Sequence, residues 1–232
     1  MDDFILSKDL ALPLETYEVV DPEQRRTALS MPLPSSEELI TTPAGLTVES
    51  GDVAAKKICI HPDSLSGTYQ VSAATHTLKI DLPSPNGKII KSKLRYFAKS
   101  FLTVNEWTPP QPLGHELELT PLDDLSNVRV GDWVSFEVNF LEKPFTCDTF
   151  NMEYLLAKSN TFGGEAGGEK EGFFLGAYLV NGKARFRMPS AGQWMICAFN
   201  FKDVGPDSEF KEFAEGCTKL YYHTTLTFNV KA

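Results

Sequence analysis

Alternation of hydrophobic and polar side chains is the dominant pattern along this chain. Within residues 133–140, four apolar side chains alternate with Trp133 and three polar residues: Val134, Phe136, Val138 and Phe140 share one side. The same period of two recurs at 68–73, 78–82, 117–120, 183–188 and 220–230. A period of two is typical of strands with one buried face and one wet face. The pattern therefore predicts an all-β protein.

Other segments are predicted from their composition. Residues 16–20, 46–49, 57–60, 93–104 and 151–157 are predicted to be strands, and 193–201, apolar on both sides, a central strand. Pro85-Asn86-Gly87 and Asn181-Gly182 predict tight turns, because Asn and Gly tolerate positive φ. The Gly-rich segment 159–172 is predicted to be a surface loop, and 209–215 a helical turn.

Prolines divide the chain. Residues 1–50 are broken repeatedly by proline, which leaves room for short strands only, such as Phe4-Ile5-Leu6. Pro109, Pro110 and Pro112 form a stiff stretch that is typical of a linker. We therefore expect two β-sandwich domains in tandem, an N-terminal domain at 1–108 and a C-terminal domain at 113–232.

Charge and hydropathy exclude several classes of partner. The 232 residues carry a net charge of −9, which argues against binding to nucleic acid or to anionic membranes, since both reward clustered Lys and Arg. No apolar run approaches the roughly 20 residues that span a bilayer. The acidic start, Met1-Asp2-Asp3-Phe4, is unlike a signal peptide. Two alternatives stay open from the sequence, a cytoplasmic protein and an exported protein whose leader has been removed. Whether Met1 is the native first residue stays open with them.

The four cysteines lie at positions 59, 147, 197 and 217. None has the spacing of a zinc site. Two interpretations stay open, buried thiols or one to two disulfides in an exported protein. Cys197 and Cys217 flank one connection and are the candidate pair.

A series of short motifs runs in one order over roughly residues 66–230. They are Arg95-Tyr96-Phe97-Ala98-Lys99, Gly114-His115-Glu116-Leu117-Glu118-Leu119-Thr120-Pro121-Leu122, Val130-Gly131-Asp132, Lys143-Pro144, Gly182-Lys183-Ala184-Arg185-Phe186, Ala191-Gly192-Gln193-Trp194 and Thr224-Thr225-Leu226-Thr227-Phe228. In these pieces the chain resembles an exported bacterial family of unknown function, once described as a NikM-like component of nickel uptake.

The resemblance implies a periplasmic or secreted protein built from two immunoglobulin-like or transthyretin-like sandwiches. It also implies a link to transition-metal uptake, with nickel or cobalt as the divalent cofactor or cargo and a membrane transport component as partner. Family members often begin with a histidine next to an aromatic pair. Here the chain begins Met1-Asp2-Asp3-Phe4, so no N-terminal metal site is expected.

Histidine is the commonest side-chain ligand of transition metals. The chain has His61, His76, His115 and His223, with no closely spaced pair. We take His115, Glu118 and His223 as the candidate metal ligands. The alternative is that all four histidines are isolated surface residues.

Catalytic motifs are lacking. No Gly-x-Ser-x-Gly elbow is present, and the glycines at 163–168 lack the Lys-Ser/Thr of a phosphate-binding loop. We therefore expect a non-catalytic binding or accessory module rather than an uncharacterised hydrolase. The alternative is a structural, adhesion or carbohydrate-contact module, with Trp133 and Tyr221 as the ligand-binding aromatic residues.

Overall fold

The computed structural model describes residues 14–30, 39–50, 56–83, 87–145, 154–159, 174–208, 210–213 and 215–232. This part of the chain is all-β, with one short 3-10 turn at Lys211–Phe213 and no α-helix, and so no helix that could cross a membrane. The first eight strands are β1 Leu14–Val20, β2 Arg26–Ala28, β3 Leu39–Thr41, β4 Thr47–Ser50, β5 Lys56–Cys59, β6 Gly67–Thr75, β7 Leu78–Pro83 and β8 Ile89–Val104. The last eight are β9 Leu117–Pro121, β10 Trp133–Phe140, β11 Lys143–Pro144, β12 Tyr154–Ser159, β13 Phe174–Tyr178, β14 Lys183–Arg187, β15 Gly192–Asp203 and β16 Lys219–Val230.

A nine-stranded sheet organises the molecule. Its order is β13-β12-β15-β16-β8-β6-β1-β2. The ninth strand, β7, pairs with the first part of β8, and β6 pairs with the rest of that strand. Successive side chains of a strand point to opposite faces. We name the face that carries Phe97, Lys99 and Phe101 of β8 the inner face, and the face that carries Tyr96, Ala98 and Ser100 the outer face.

Two smaller sheets pack on opposite faces of this large sheet. The four-stranded sheet β11-β10-β14, with β9 paired to β10, covers the inner face, where Phe136 lies 6.1 Å from Phe228 between ring centroids. The three-stranded sheet β3-β4-β5 covers the outer face near β1 and β6. There Leu46 and Val48 join Tyr69 in a second hydrophobic core. The described residues therefore form two cores, on the two faces of one sheet.

The large sheet crosses the proline stretch at 109–112. β16 pairs in parallel with β8, from Lys219 opposite Ser92 to Thr227 opposite Ser100. Strands from both sides of the expected boundary thus share one hydrogen-bonded sheet. The layered all-β architecture is consistent with β-sandwich packing, whereas the division into domains 1–108 and 113–232 stays a prediction.

The connection after β8 lies across the inner face of β6 and β1. Thr68 and Thr108 exchange hydrogen bonds, each backbone N–H donating to the hydroxyl of the other residue at 2.8 and 2.9 Å. Gln70 Nε2 donates to Gln111 O at 2.8 Å, and Arg26 donates to Leu113 O at 2.9 Å. The connection is therefore tied down by polar contacts.

Most strands predicted from alternation are confirmed, with small shifts at their ends. Asn181 and Gly182 form the predicted turn, with φ of 51° and 74°. The predicted central position of 193–201 is also confirmed, since β15 lies between β12 and β16. The proposed strand at 4–6, the turn at 85–86 and most of the 159–172 loop lie outside the described residues. Strands β2, β3, β11 and β13 were not predicted.

Candidate functional site

His115 lies on the inner side of the large sheet. Its imidazole stacks on Phe97 with ring centroids 4.7 Å apart, and Nε2 lies 3.3 Å from Oγ of Ser72. Burial lowers the pKa of His115 to about 3, and the positive charges of Lys99, Arg26 and Arg95 add to this effect. The surroundings therefore disfavour a proton on His115, and the same charges oppose a metal cation.

Glu118 is buried beside His115 and forms an ion pair with Lys99. Its Oε2 accepts a hydrogen bond of 2.7 Å from the backbone N–H of His115. The Lys99 ammonium is also buried, and desolvation lowers its pKa to about 7, with a smaller contribution from Arg26. The carboxylate is thus engaged by a lysine and a backbone N–H rather than open to a metal ion.

His223 lies on the outer face of the sheet. It is opposite Tyr96 of β8 and Phe199 of β15, and it stacks on Phe199 with centroids 4.3 Å apart. Its Nε2 is buried and has no hydrogen-bond partner among the described residues. Burial alone lowers its pKa to about 4.

The three predicted metal ligands do not converge. His115 contacts Phe97 and His223 contacts Tyr96, and these consecutive residues of β8 point to opposite faces. One ion cannot reach both imidazoles at bonding distances of about 2.1 Å. Within the described part of the chain, no group of three or more His, Cys, Asp or Glu side chains is arranged to hold a metal.

The two predicted ligand-binding aromatic residues also lie apart. Trp133 is 54% exposed on β10, on the side of the four-stranded sheet that faces away from the core, and Arg185 lies over its ring at 4.6 Å. Tyr221 lies on the outer face of the large sheet, where Phe201 meets it edge to face at 4.9 Å. They cannot contact one small ligand together.

Tyr221 and His223 belong to a continuous group of rings, which we name the aromatic strip. It comprises Tyr96, Phe199, Phe201, Tyr221 and His223, from the three adjacent strands β8, β15 and β16. Neighbouring ring centroids lie between 4.3 and 6.4 Å apart. None of the five belongs to either core formed by the described residues.

The rings of the strip are partly exposed, and Phe201 is 60% exposed. His223 and Phe199 are nearly parallel, with an interplanar angle of 12°. Each ring therefore shields a face of its neighbour. This arrangement offers an apolar contact surface more than an open ring face on which a sugar could stack.

A family model described as "Domain of unknown function (DUF4198)" matches residues 6–201. The chain belongs to this family. No curated protein matches the chain. The DUF4198 match includes His115, Glu118, Tyr96, Phe199 and Phe201, and it ends before β16.

Three members of the aromatic strip were missed in the sequence. Phe199 and Phe201 alternate with buried Ala198 and Asn200, so their spacing placed them together on one face of β15. Because 193–201 is rich in apolar residues, we expected both faces to be covered. Tyr96 lies in the long strand β8, and its proximity to His223 follows from a parallel pairing that no local pattern signals.

The candidate pair, Cys197 and Cys217, does not form a disulfide in this structure. Cys197 lies opposite Thr225 in the middle of β16, whereas Cys217 precedes Lys219, the first residue of that strand. Six strand residues between Lys219 and Thr225 span about 20 Å at 3.3 Å each. A disulfide requires Cα atoms within about 7 Å. Both thiols are buried, as one of the two interpretations held.

Proposed function

We propose that this DUF4198 protein is a non-catalytic accessory module that binds a protein partner through the aromatic strip. The observation that carries the proposal is the strip itself, five contacting rings outside both cores of the described residues. Tyr and Phe are enriched where protein interfaces are fully desolvated. Exposed apolar patches on soluble proteins commonly mark such contacts.

The strip lies on regular strands rather than on loops. β15 and β16 pair over twelve residues, and β16 pairs with β8 over nine. Side chains on such a framework lose little conformational freedom when a partner binds, which favours affinity. The partner chemistry that fits is an apolar patch able to surround Phe201 and contact the edges of Phe199 and Tyr221.

The family resemblance extends this proposal to an exported or periplasmic location, to two immunoglobulin-like sandwiches and to a membrane transport component as partner. A transition-metal role would then be exercised by the partner, since His115 and Glu118 lie among cationic side chains. Metal-free protein should show no change in melting temperature with Ni(II), Co(II) or Zn(II). A shift that disappears in His115→Ala would contradict this part of the proposal, because metal binding stabilises only the folded state that holds it.

The docking proposal is tested by site-specific photo-crosslinking in cells that produce the protein. A crosslinking phenylalanine analogue replaces Phe201 in one variant and Trp133, of similar exposure, in the matched control. We expect one discrete crosslinked protein at position 201 and none at position 133. Co-purification of that protein should be lost in Phe201→Asp. Equal crosslinking at both positions, or none at position 201, would overturn the proposal.

A further inference from the structure

A cleft opens where β8 and β16 separate. Their parallel ladder ends at Ser100 and Thr227, although β8 stays paired with β6 to Val104. The end of β16 turns to another segment: Lys231 N donates to Val128 O at 2.8 Å, and Val130 N donates to Lys231 O at 3.0 Å. The resulting cavity has a volume of about 270 Å³.

The floor of the cleft is apolar. Phe101 and Trp107 meet edge to face with ring centroids 5.8 Å apart, and Leu125 and Phe228 complete this side. Phe101 and Trp107 are only partly buried against the main core. Their remaining surface is therefore available to a ligand.

The rim of the cleft is polar, and most of its polar groups are uncharged. Hydroxyls come from Ser100 and Thr227 at the last rung of the ladder, and amides come from Gln193 and Asn229. The described lining contains one charged residue, Lys231, whose Nζ donates to Asn127 Oδ1 at 2.9 Å. In a chain with net charge −9, a lining without a carboxylate favours a neutral ligand over a cation.

We infer that this cleft binds a single neutral sugar ring, at a site distinct from the aromatic strip. A sugar ring has apolar C–H groups on its faces and hydroxyls around its edge. The C–H faces of the sugar can pack on Trp107 and Phe101 on the floor. Its hydroxyls can form hydrogen bonds with the hydroxyls and amides of the rim. Ligand sites of this kind combine apolar walls with a few placed polar groups, and a cavity somewhat below about 300 Å³ suits a small ligand.

The cleft is independent of the strip in position as well. Along β16, Thr227 lies four residues beyond His223, which corresponds to about 13 Å. Sugar binding and protein docking can therefore fail separately, so the two experiments distinguish the two proposals.

The test is titration of the whole protein with glucose, galactose and N-acetylglucosamine, followed by calorimetry and tryptophan fluorescence. We expect millimolar or tighter binding of at least one neutral sugar with a change in Trp107 emission. Asn229→Leu, at an exposed rim position, should weaken binding about tenfold without lowering the melting temperature. Trp107→Phe should remove the fluorescence change, and the control Trp133→Phe should keep it.

Three outcomes would overturn the inference. The first is that none of the neutral sugars binds. The second is that binding is unaffected by both Asn229→Leu and Trp107→Phe. The third is preference for glucuronate over glucose, which would show that Lys231 selects an anion.

Discussion

One cross-strand row of the large sheet contains two regions of opposite character. On the inner face, Glu18, Ser72 and Lys99 lie side by side on β1, β6 and β8. The row continues through Leu226, Ile196 and Ala157 on β16, β15 and β12. All six side chains are buried. Buried positions in this row therefore hold polar side chains in one region and apolar side chains in the other.

The two regions differ in what covers them. The apolar region faces the four-stranded sheet, in which β10 pairs with β9 on one side and with β14 on the other. The polar region is covered by the connection before β9, whose carbonyls lack such ladder partners. Gln70 and Arg26 donate to Gln111 O and Leu113 O of this connection, and Lys99 Nζ donates to Leu119 O of β9 itself at 3.4 Å. Buried backbone groups need partners, and here side chains provide them.

Glu118→Leu should have the largest effect on this comparison. It leaves Lys99 buried without its carboxylate, which should lower the free energy of unfolding by about 4 kcal/mol. Urea denaturation of the variant measures the loss. The double variant Lys99→Met with Glu118→Leu should recover more than half of it, because no unpaired charge remains. If the double variant were less stable than Glu118→Leu, the pair would not be the reason for the polar character of this region.

Ile196→Ala breaks the apolar region of the same row. Ile196 is fully buried, so the substitution leaves a cavity and should cost about 3 kcal/mol. Urea denaturation again gives the value, with Val180→Ala, 69% exposed, as the control that should change little. Ser72→Ala in the polar region removes one hydrogen bond worth about 1 kcal/mol. If Ile196→Ala lowered the free energy of unfolding by less than Ser72→Ala does, the assignment of the main core would be contradicted.

Acidification should destabilise the protein through His115 on the inner face and His223 on the outer face. The folded-state pKa values of His115 and His223, about 3 and about 4, lie below the unfolded value of about 6.5. The unfolded state therefore binds protons first. Stability is complete above pH 6.5 and is lost as pH falls toward the folded pKa. Between pH 7.5 and pH 5, each histidine should cost about 2 kcal/mol.

The measurement is urea denaturation at both pH values. His115→Gln and His223→Phe should each lower the loss of stability between the two pH values by about 2 kcal/mol. An unchanged pH dependence in His223→Phe would show that its imidazole is not held neutral on the outer face.

The local strands could be predicted from the sequence, and their long-range pairing could not. The strand β10 and the Asn181-Gly182 turn each depend on interactions within a few residues, so the local sequence is enough to predict them. Lys99 was part of a predicted strand, yet a lysine in such a strand normally indicates a solvent-facing position. Only the contact with Glu118, brought by the connection after β8, explains its burial.

The candidate site was predicted in part for the same reason. Tyr221 and His223 were recognised from their shared side of the last strand, and the structure adds Phe199 on β15 and Tyr96 on β8. His115 and Glu118 are close to each other, as their spacing of three residues allowed. Their separation from His223 depends on the faces of a sheet that forms between distant segments.

The pairing of β16 with β8 has a consequence for synthesis of the protein. The paired residues Lys219 and Ser92 are 127 positions apart. During translation, the edge of β8 that pairs with β16 has no partner strand until 127 further residues have been made. Such distant pairing slows folding and prolongs exposure of unpaired strand edges. We therefore expect this edge of β8 to be open to wrong strand pairing until β16 has been made.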